Sequence, residues 1–318
     1  MFSRMKIVIQ TVYWILIALS VVGLSQLRQP ISDLLSNFYL HFTFFGTLLF
    51  FVALHWRLPR TALVSAAISA ICFGLAFSYD RVSVSSDTVA AEAPAQKRLE
   101  IMTFNAWERV KVMDRLKSFL RKETPDFVIL QEITIKDWRS LQSLKDLYPH
   151  MTYCDDWLCG VAFLSRHKWQ SARAENFGAH QIPLITVTFD ESFKGLTIYA
   201  THSARPHWKY STQRQQFEDL AAHIAKRSAD PAVLGGDMNS TVFSTPLRYF
   251  TSASTMKPAG RFTPTWPQRL RQMGYITLPF LQLDIDHFFV TPGMKIFEKW
   301  RGPDLGSDHR PLLLSFRL

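Results

Sequence analysis

The sequence has few cysteines and lacks the spacings that hold a zinc ion. Three of its 318 residues are cysteine, and none belongs to a CxxC pair or to a Cys/His pattern typical of zinc sites. Cys154 and Cys159 lie close together, and an oxidising compartment would favour a disulfide between them, whereas two unpaired thiols are the alternative. The sequence also has no internal repeat, which argues against a repeat architecture.

Formal charge is absent from three long stretches near the N-terminus. They lie between Lys6 and Arg28, from 34 to 56 and from 61 to 79, and all are rich in large apolar residues. A helix that rises 1.5 Å per residue needs about 20 apolar residues to cross the core of a bilayer. The pattern therefore predicts three transmembrane helices in a first domain, residues 1–80. The third stretch would also suit a helix buried in protein, and the first would suit a signal peptide.

Basic residues around these stretches predict the orientation of the chain. Arg4 and Lys6 precede the first stretch, and Arg57 and Arg60 lie between the second and the third. Because cytoplasmic loops carry an excess of Lys and Arg, the N-terminus and this loop are predicted to be cytoplasmic. Three spans then place everything after Tyr79 outside, which for a bacterial inner membrane is the periplasmic side.

Composition changes again after the third stretch. Residues 81–97 lack hydrophobic periodicity and are predicted to be a linker, and residues 98–318 are predicted to form a globular domain. Seven of the 36 Lys and Arg residues and four of the 26 Asp and Glu residues precede residue 98, so this domain has a net charge of about +7. Such a charge favours a polyanion or an anionic membrane face as a partner.

The globular domain alternates strand-like and helix-like patterns. Residues 110–120 and 217–224 place apolar side chains at steps of three and four, which predicts two amphipathic helices. Eight apolar or β-branched runs predict strands at 99–104, 127–130, 161–164, 184–189, 196–200, 232–234, 285–290 and 311–316. Strands interleaved with a few helices predict an α+β (α/β) domain of two packed sheets with helices outside.

Polar residues that can bind a metal or move a proton stand at the ends of these predicted strands. Because strand ends converge at one edge of a sheet, such residues meet in one cleft. A single Asn or Asp after a strand is more often a turn former, so the argument depends on the whole set. The set consists of Asn105, Glu132, His202, Asp237, Asn239, Asp286, Asp308 and His309.

The order of these residues resembles that of the endonuclease/exonuclease/phosphatase superfamily, which has the DNase I-like fold. Its most specific pieces here are Gly236-Asp237-Met238-Asn239 and Ser307-Asp308-His309-Arg310-Pro311. The other matching pieces are Thr103-Phe104-Asn105, Leu130-Gln131-Glu132, the segment 160–166, Ala200-Thr201-His202 and the segment 285–290. The resemblance implies a four-layer sandwich of two packed β-sheets flanked by helices, here preceded by the three transmembrane helices.

The resemblance also implies a metal site of one or two Mg²⁺ or Mn²⁺ ions. Asn105 and Glu132 would hold the metal, with Asp308 as a further or indirect contributor. The donor types agree with this assignment, because hard cations prefer carboxylate and amide oxygens. The metal would take up charge from the phosphoryl oxygens.

The remaining residues of the set are the candidate catalytic groups. His309, oriented by Asp286, would activate water or stabilise the phosphorus centre. Asp237 would position the water or assist the leaving group, and Asn239 would donate to a non-bridging oxygen. His202 would bind phosphate or protonate the leaving oxygen. Which of these groups is the general base stays open at this point.

Three functions are compatible with the set. The first is a membrane-tethered phosphodiesterase or nuclease, with nucleic acid as a candidate substrate because of the positive charge. The second hydrolyses a phospholipid or inositol-phosphate headgroup, since tethering concentrates the site beside that substrate. The third is an inactive membrane-anchored binding protein that keeps the fold, against which the intact set argues. The N-terminal helices imply the lipid bilayer as a partner, and no protein partner is implied.

Overall fold

The chain forms two compact units, and the first of them combines segments that are distant in sequence. The computed structural model describes residues 2–25, 27–79, 81–84, 98–107, 110–154, 160–207, 209–226, 231–268 and 279–318. The first unit comprises Met1–Tyr79, Pro206–Arg214 and Thr241–Arg248. The second comprises Asp80–Arg205, Gln215–Ser240 and Tyr249–Leu318. Two later segments therefore belong with the N-terminal helices.

Four helices make up the N-terminal part of the first unit. They are α1 (Phe2–Leu24), α2 (Pro30–Ser36), α3 (Tyr39–His55) and α4 (Pro59–Phe77). By length and composition, α1 and α4 are each able to cross a membrane. The helices α2 and α3 are bent by 68° relative to each other, and they add a third candidate if the pair counts as one span. The described residues thus contain two or three candidate spans.

The bend between α2 and α3 differs from the single second helix that the sequence predicts, and it has a local cause. The Asn37 side chain donates through Nδ2 to the carbonyl oxygens of Asp33 at 3.0 Å and Leu34 at 3.3 Å. The Ser36 hydroxyl donates to the Asp33 carbonyl at 2.7 Å. These bonds satisfy carbonyl groups that the end of α2 leaves without a helical partner. The absence of charge in this stretch predicts one continuous helix, and the sequence does not reveal that Ser36 and Asn37 end a helix within it.

The second unit contains two six-stranded sheets. The first sheet has, in spatial order, β11 (Lys295–Arg301), β12 (Leu312–Arg317), β1 (Leu99–Asn105), β2 (Phe127–Gln131), β4 (Ala162–Ser165) and β3 (His150–Tyr153). The second has β5 (Ser171–Phe177), β6 (Ile182–Thr188), β7 (Thr197–His202), β8 (Ala232–Asp237), β10 (Asp286–Val290) and β9 (Lys257–Pro258). The pairs β1/β2 and β7/β8 are parallel, and the other neighbours are antiparallel.

The two sheets pack face to face, with helices on their outer sides. Buried residues of both sheets, such as Ile129 and Phe288, belong to one apolar cluster. The helices α5 (Val110–Glu123) and α6 (Ile135–Leu141) contribute to a second cluster with the outer side of the first sheet. On the other side, Phe250 of α8 (Thr245–Ser254) contacts Phe289 of β10 and Phe217 of α7 (Thr212–Ala225). The predicted four-layer sandwich is confirmed.

All eight predicted strands are present, and the four strands that the sequence did not predict have a common position. They are β3, β5, β9 and β11, which form the edges of the two sheets. An edge strand is exposed along one side and carries polar residues, so it lacks a continuous apolar run. The strand β5, Ser-Ala-Arg-Ala-Glu-Asn-Phe, shows this, because none of its residues is fully buried.

Part of the predicted linker pairs with the second unit. Val82 and Val84 form isolated parallel bridges with Ala259 and Ile296. The Val82 amide donates to the Pro258 carbonyl at 3.0 Å. Residues 85–97 of the predicted linker lie outside the described residues.

The two described cysteines differ in oxidation state. Cys154 is disulfide-bonded, whereas Cys72 of α4 is a free, buried thiol. Cys159, the sequence-predicted neighbour of Cys154, lies outside the described residues.

Candidate active site

Sheet register brings the predicted site residues to the same edge of the sandwich. Asn105 ends β1, and Glu132 follows directly after β2, the parallel neighbour of β1. In the other sheet, His202 at the end of β7 is paired with Asp237 at the end of β8. Asp237 is also paired with Asp286, the first residue of β10. The C-terminal ends of β1, β2, β7 and β8 and the first residue of β10 thus supply these site residues.

Asn105 connects the two sheets at this edge. Its Nδ2 donates to Glu132 Oε1 at 3.1 Å and to Asp237 Oδ2 at 2.9 Å. Its Oδ1 accepts from the Trp107 amide at 3.1 Å. The amide nitrogen, which is not a metal ligand, is therefore the atom that faces Glu132. In this arrangement Asn105 holds two carboxylates in place.

Asp237 is the residue on which the site converges. Its side chain is almost completely buried, at 1% exposed. Its Oδ2 lies 3.6 Å from His202 Nε2 and 3.7 Å from His309 Nε2. Its other oxygen, Oδ1, accepts from the Asn239 amide at 2.7 Å. One carboxylate thus faces two imidazoles and can position a water molecule or accept a proton between them.

The turn after Asp237 aims a second amide side chain into the site. Asn239 has a φ of +47°, a left-handed conformation that Asn tolerates better than most residues. Its Nδ2 donates to the Ser203 carbonyl at 2.9 Å and lies 3.2 Å from His202 Nε2. The Asn239 side chain therefore holds the His202 loop against the end of β8.

Asp286 and His309 form a buried pair. His309 Nδ1 lies 2.8 Å from Asp286 Oδ2, and both side chains are less than a tenth exposed. The Thr265 hydroxyl donates to the same carboxylate oxygen. With Nδ1 bound to Asp286, the other ring nitrogen, Nε2, is directed towards Asp237. This is the arrangement of an imidazole oriented by one carboxylate and presented to another.

Charge around His309 favours its protonated form. Burial alone would lower the pKa of His309, but the Asp286 and Asp237 carboxylates outweigh it and raise the pKa to about 9. His309 is therefore a cation at neutral pH in this arrangement. A buried imidazolium can stabilise negative charge that develops beside Nε2, or donate its proton there.

The Asp308 carboxylate is held by loop residues. Its Oδ2 accepts from Trp266 Nε1 at 3.1 Å, and its Oδ1 lies 3.4 Å from the Ser307 hydroxyl. Among the described residues, its carboxylate makes no hydrogen bond to Asn105 or Glu132. Its neighbour Ser307 does reach the site, because the Ser307 hydroxyl donates to the Asn105 carbonyl at 2.8 Å.

Several loop residues that sequence reasoning missed contact the site. Arg205 lies three residues after His202, and its Nη2 is 3.2 Å from Glu132 Oε1. Thr265 and Trp266 contact the Asp286 and Asp308 carboxylates. These residues lie in loops rather than at strand ends, so no periodic signal in the sequence marks them.

A compact group of potential metal ligands lies deeper in the site. One ligand atom each of Asp237, Asp286 and His309 lies within 4.8 Å of the others. This set differs from the predicted set of Asn105, Glu132 and Asp308. Within this group, His309 Nδ1 is already hydrogen-bonded to Asp286 Oδ2. This bond favours the interpretation that Asp286 orients the His309 ring over the interpretation that both residues bind a metal.

The fold is similar to that of several solved structures. D. rerio TDP2 complexed with single-strand DNA product has a TM-score of 0.59 at 16% identity, covering 70% of this chain and 100% of that chain. An endonuclease/exonuclease/phosphatase from Bacteroides vulgatus has a TM-score of 0.57 at 20% identity, covering 70% and 100%. Sphingomyelinase C from Streptomyces griseocarneus has a TM-score of 0.52 at 16% identity, covering 69% and 99%. These likenesses show the fold.

Sequence comparison identifies the family directly. No curated protein matches the chain. The model of the Endonuclease/Exonuclease/phosphatase family matches residues 102–309, which is more than half of the chain and includes every residue of the predicted set. Members of this family are phosphoester hydrolases. The chain therefore belongs to the Endonuclease/Exonuclease/phosphatase family.

Proposed function

We propose that this chain is a divalent-metal-dependent phosphodiesterase anchored in a membrane by its N-terminal helices. The observation that carries the proposal is the convergence of two imidazoles and one amide on the Asp237 carboxylate. Such an arrangement combines a proton acceptor, a buried cation and hydrogen-bond donors within reach of one phosphorus centre. Family membership supplies the reaction class, phosphoester hydrolysis.

In the proposed reaction, the roles of Asp237 and His309 follow from their contacts, and those of Asn239 and His202 follow from the resemblance to the family. Asp237 orients the attacking water, because its buried Oδ2 lies 3.6 Å and 3.7 Å from the Nε2 atoms of the two imidazoles. His309, held through Nδ1 by Asp286, directs its charged Nε2 at the negative charge that forms on phosphorus. Asn239 holds the His202 loop through Nδ2 and would donate to a non-bridging oxygen when substrate displaces one of these contacts, and His202 would serve the leaving oxygen. The general base is Asp237 in this proposal, since His309 is already protonated.

The donor chemistry of the site fits a divalent cation. Glu132 is a partly exposed carboxylate at the mouth of the site, and it already attracts a cationic group, the Arg205 guanidinium. Glu132 would hold Mg²⁺ or Mn²⁺ with oxygen donors from Asp308 and from Asn105, whose side-chain amide would have to turn to present Oδ1 instead of Nδ2. Bound there, the metal would neutralise charge on the phosphoryl oxygens.

Nucleic acid is the first candidate substrate. The C-terminal 221 residues have a net charge of about +7, and a basic surface attracts a polyphosphate backbone. A solved neighbour, D. rerio TDP2, was crystallised with a single-strand DNA product. Salt-sensitive cleavage would be the expected signature, because each phosphate contact releases counterions.

A phospholipid headgroup is the second candidate, and one observation favours it. The segments Pro206–Arg214 and Thr241–Arg248 follow closely after His202 and Asn239, and both belong to the compact unit that contains the apolar helices. The chain therefore tethers the site to the apolar helices, and tethering raises the effective concentration of a substrate in the same membrane. A solved neighbour of the fold is a sphingomyelinase.

A substrate screen tests the proposal. The full chain, purified in detergent, would be assayed on bis-p-nitrophenyl phosphate, on single- and double-stranded DNA, on RNA and on phospholipid vesicles, each with EDTA, Mg²⁺ or Mn²⁺. We expect hydrolysis of the chromogenic diester that EDTA abolishes and either metal restores. The natural polymer or lipid that is cleaved at comparable efficiency then identifies the substrate class. Inactivity on every ester with both metals would refute the proposal and favour a binding protein.

A further inference from the structure

The junction between α2 and α3 carries buried polar residues in an otherwise apolar region. Buried polar groups are costly unless they are hydrogen-bonded, so each such residue needs a partner. Ordinary packing of apolar helices gives no reason to keep them. The residues are Ser32, Asp33, Ser36 and Asn37, each at most 5% exposed.

Three of the four, Asp33, Ser36 and Asn37, have partners in the two later segments of the same compact unit, whereas Ser32 bonds to Gln29. Asn37 Oδ1 accepts from the Thr241 amide at 2.7 Å and from the Thr241 hydroxyl at 3.2 Å. Ser36 Oγ accepts from the Thr245 amide at 3.0 Å. Asp33 forms a buried ion pair with Arg214. The junction therefore fixes both segments by specific polar contacts.

One of these contacts lies two residues from a candidate catalytic group. Thr241 is separated from Asn239 by a single residue, and consecutive Cα atoms are about 3.8 Å apart. So short a connection lets the position of Thr241 restrict that of Asn239. Asn239 holds a left-handed φ of +47°, a conformation that persists when its surroundings fix it. Asn37 supplies two of the bonds that fix the chain at this point.

The second contact leads to the loop that follows His202. Arg214 lies two residues before Gln216, whose Oε1 accepts from the Ala204 amide at 2.7 Å. The Gln216 side chain also donates through Nε2 to the His180 carbonyl at 3.0 Å. The ion pair of Asp33 with Arg214 therefore fixes the first turn of the helix that holds this loop.

We propose that Asn37, an uncharged residue of the apolar N-terminal region, is a positioning residue for Asn239 through its hydrogen bonds to Thr241. This inference rests on the proposed function. It predicts that Asn37 acts on the turnover step, because the proposed function has Asn239 donate to an oxygen that gains charge during the reaction. Substrate and metal binding are expected to change little.

The test compares two substitutions of one residue in the full chain. Asn37→Leu is similar in size and removes every polar contact of the side chain. Asn37→Asp keeps the oxygens that accept from Thr241 but loses the Nδ2 donor to the carbonyls of Asp33 and Leu34. Thr47→Val is the matched control, because the Thr47 hydroxyl donates within its own helix, to the Thr43 carbonyl.

We expect kcat on bis-p-nitrophenyl phosphate to fall by about 10- to 100-fold in Asn37→Leu, since small misplacements of a catalytic group have effects of this size. The KM and the metal concentration for half-maximal activity should stay within about threefold of the parent values, a split that general loss of structure would not give. Asn37→Asp should keep kcat within about threefold, and Thr47→Val should keep it unchanged.

Two results would overturn the inference while leaving the proposed function intact. The first is a kcat of Asn37→Leu that equals the parent value. The second is an equal loss of kcat in Asn37→Leu and Asn37→Asp, which would assign the effect to the end of α2 instead of the contact with Thr241. If Asn37→Leu does not fold, Thr241→Val removes one of the two bonds and must lower kcat by at least about threefold; an unchanged kcat there also overturns it. An inactive parent protein would instead refute the proposed function.

Discussion

Three carboxylates and two cationic groups meet within a few ångströms in the site. Glu132 pairs with Arg205, whereas Asp237 and Asp286 flank His309. The excess of negative charge is greatest around His309, which explains why its pKa rises despite burial. At the residue scale, we expect the roles to be separable: removing either carboxylate partner of His309 should alter turnover, and removing Glu132 should alter metal binding.

Asp286→Asn tests the orientation of His309. The substitution keeps the shape of the side chain but removes the charge that stabilises the imidazolium, so kcat should fall by about 10²-fold. Asp219→Asn is the matched control, because Asp219 makes a similar 2.9 Å contact with His180 outside the site. Steady-state kinetics on the chromogenic diester would measure both. Equal kcat values in the two variants would contradict the role of Asp286.

Glu132→Gln tests the metal site. The amide keeps an oxygen that can accept from Asn105 but lacks the negative charge that attracts the cation. The Mg²⁺ concentration for half-maximal activity should rise by at least about tenfold. His309→Ala, in comparison, should lower kcat by about 10²-fold and leave the metal midpoint unchanged. An unchanged midpoint in Glu132→Gln would remove Glu132 from the metal site.

The sequence predicted residues at or near strand ends and missed Arg205, Thr265 and Trp266, which lie in loops. Asp237 and His202 could be found because each directly ends an apolar run, and the parallel pairing of their strands brings them together. Arg205 and Trp266 reach the site only through the paths of their loops. No local pattern encodes such a path. The sequence also did not predict that the Asp308 carboxylate accepts a hydrogen bond from Trp266, because Trp266 lies in a distant loop.

At the scale of elements, the inner strands were predictable and the edge strands were not. An inner strand is buried on both faces and on both sides, so it appears as a run of apolar residues. The strand β11, Lys-Ile-Phe-Glu-Lys-Trp-Arg, lies at a sheet edge and shows no such run. The α2–α3 bend was missed for a related reason, because Asn37 is uncharged and its effect depends on its hydrogen bonds.

Gly236→Ala tests whether the end of β8 requires the close approach of the Gly236 and Thr201 backbones. A Cβ at this position would lie 1.9 Å from the Thr201 carbonyl oxygen, and the φ of +153° is one that other residues rarely adopt. We expect a loss of more than about 3 kcal/mol in the free energy of unfolding, or no folded protein. Gly74→Ala is the control, since no atom lies within 4 Å of its added Cβ. Parental thermal stability in Gly236→Ala would contradict this account of β8.

At the scale of the whole molecule, the apolar helices and the basic globular part suggest a hydrolase that works beside a membrane. Two helices of the described residues are able to cross a bilayer, or three if α2 and α3 form one span. The number of membrane-spanning helices matters, because an odd number places Met1 and Leu318 on opposite sides of the membrane. From the positive-inside rule we propose that the N-terminus is cytoplasmic.

A reporter fused after Leu318 tests the proposed periplasmic orientation. In a bacterial host, a phosphatase reporter that needs an oxidising compartment should be active, and a fluorescent reporter that folds only in the cytoplasm should be dark. The reasoning depends on four basic residues, Arg4, Lys6, Arg57 and Arg60. The opposite pair of signals would place the globular part in the cytoplasm.

The central claim is that Asp237 directs a metal-dependent attack on a phosphodiester. The most direct measurement is the rate of bis-p-nitrophenyl phosphate hydrolysis by the parent chain and by Asp237→Asn, each with EDTA and with saturating Mg²⁺ or Mn²⁺. We predict a parent activity that EDTA abolishes and metal restores, and an Asp237→Asn variant that stays at least about 10²-fold slower at every metal concentration. Hydrolysis that is insensitive to EDTA, or full activity in Asp237→Asn, would contradict the claim.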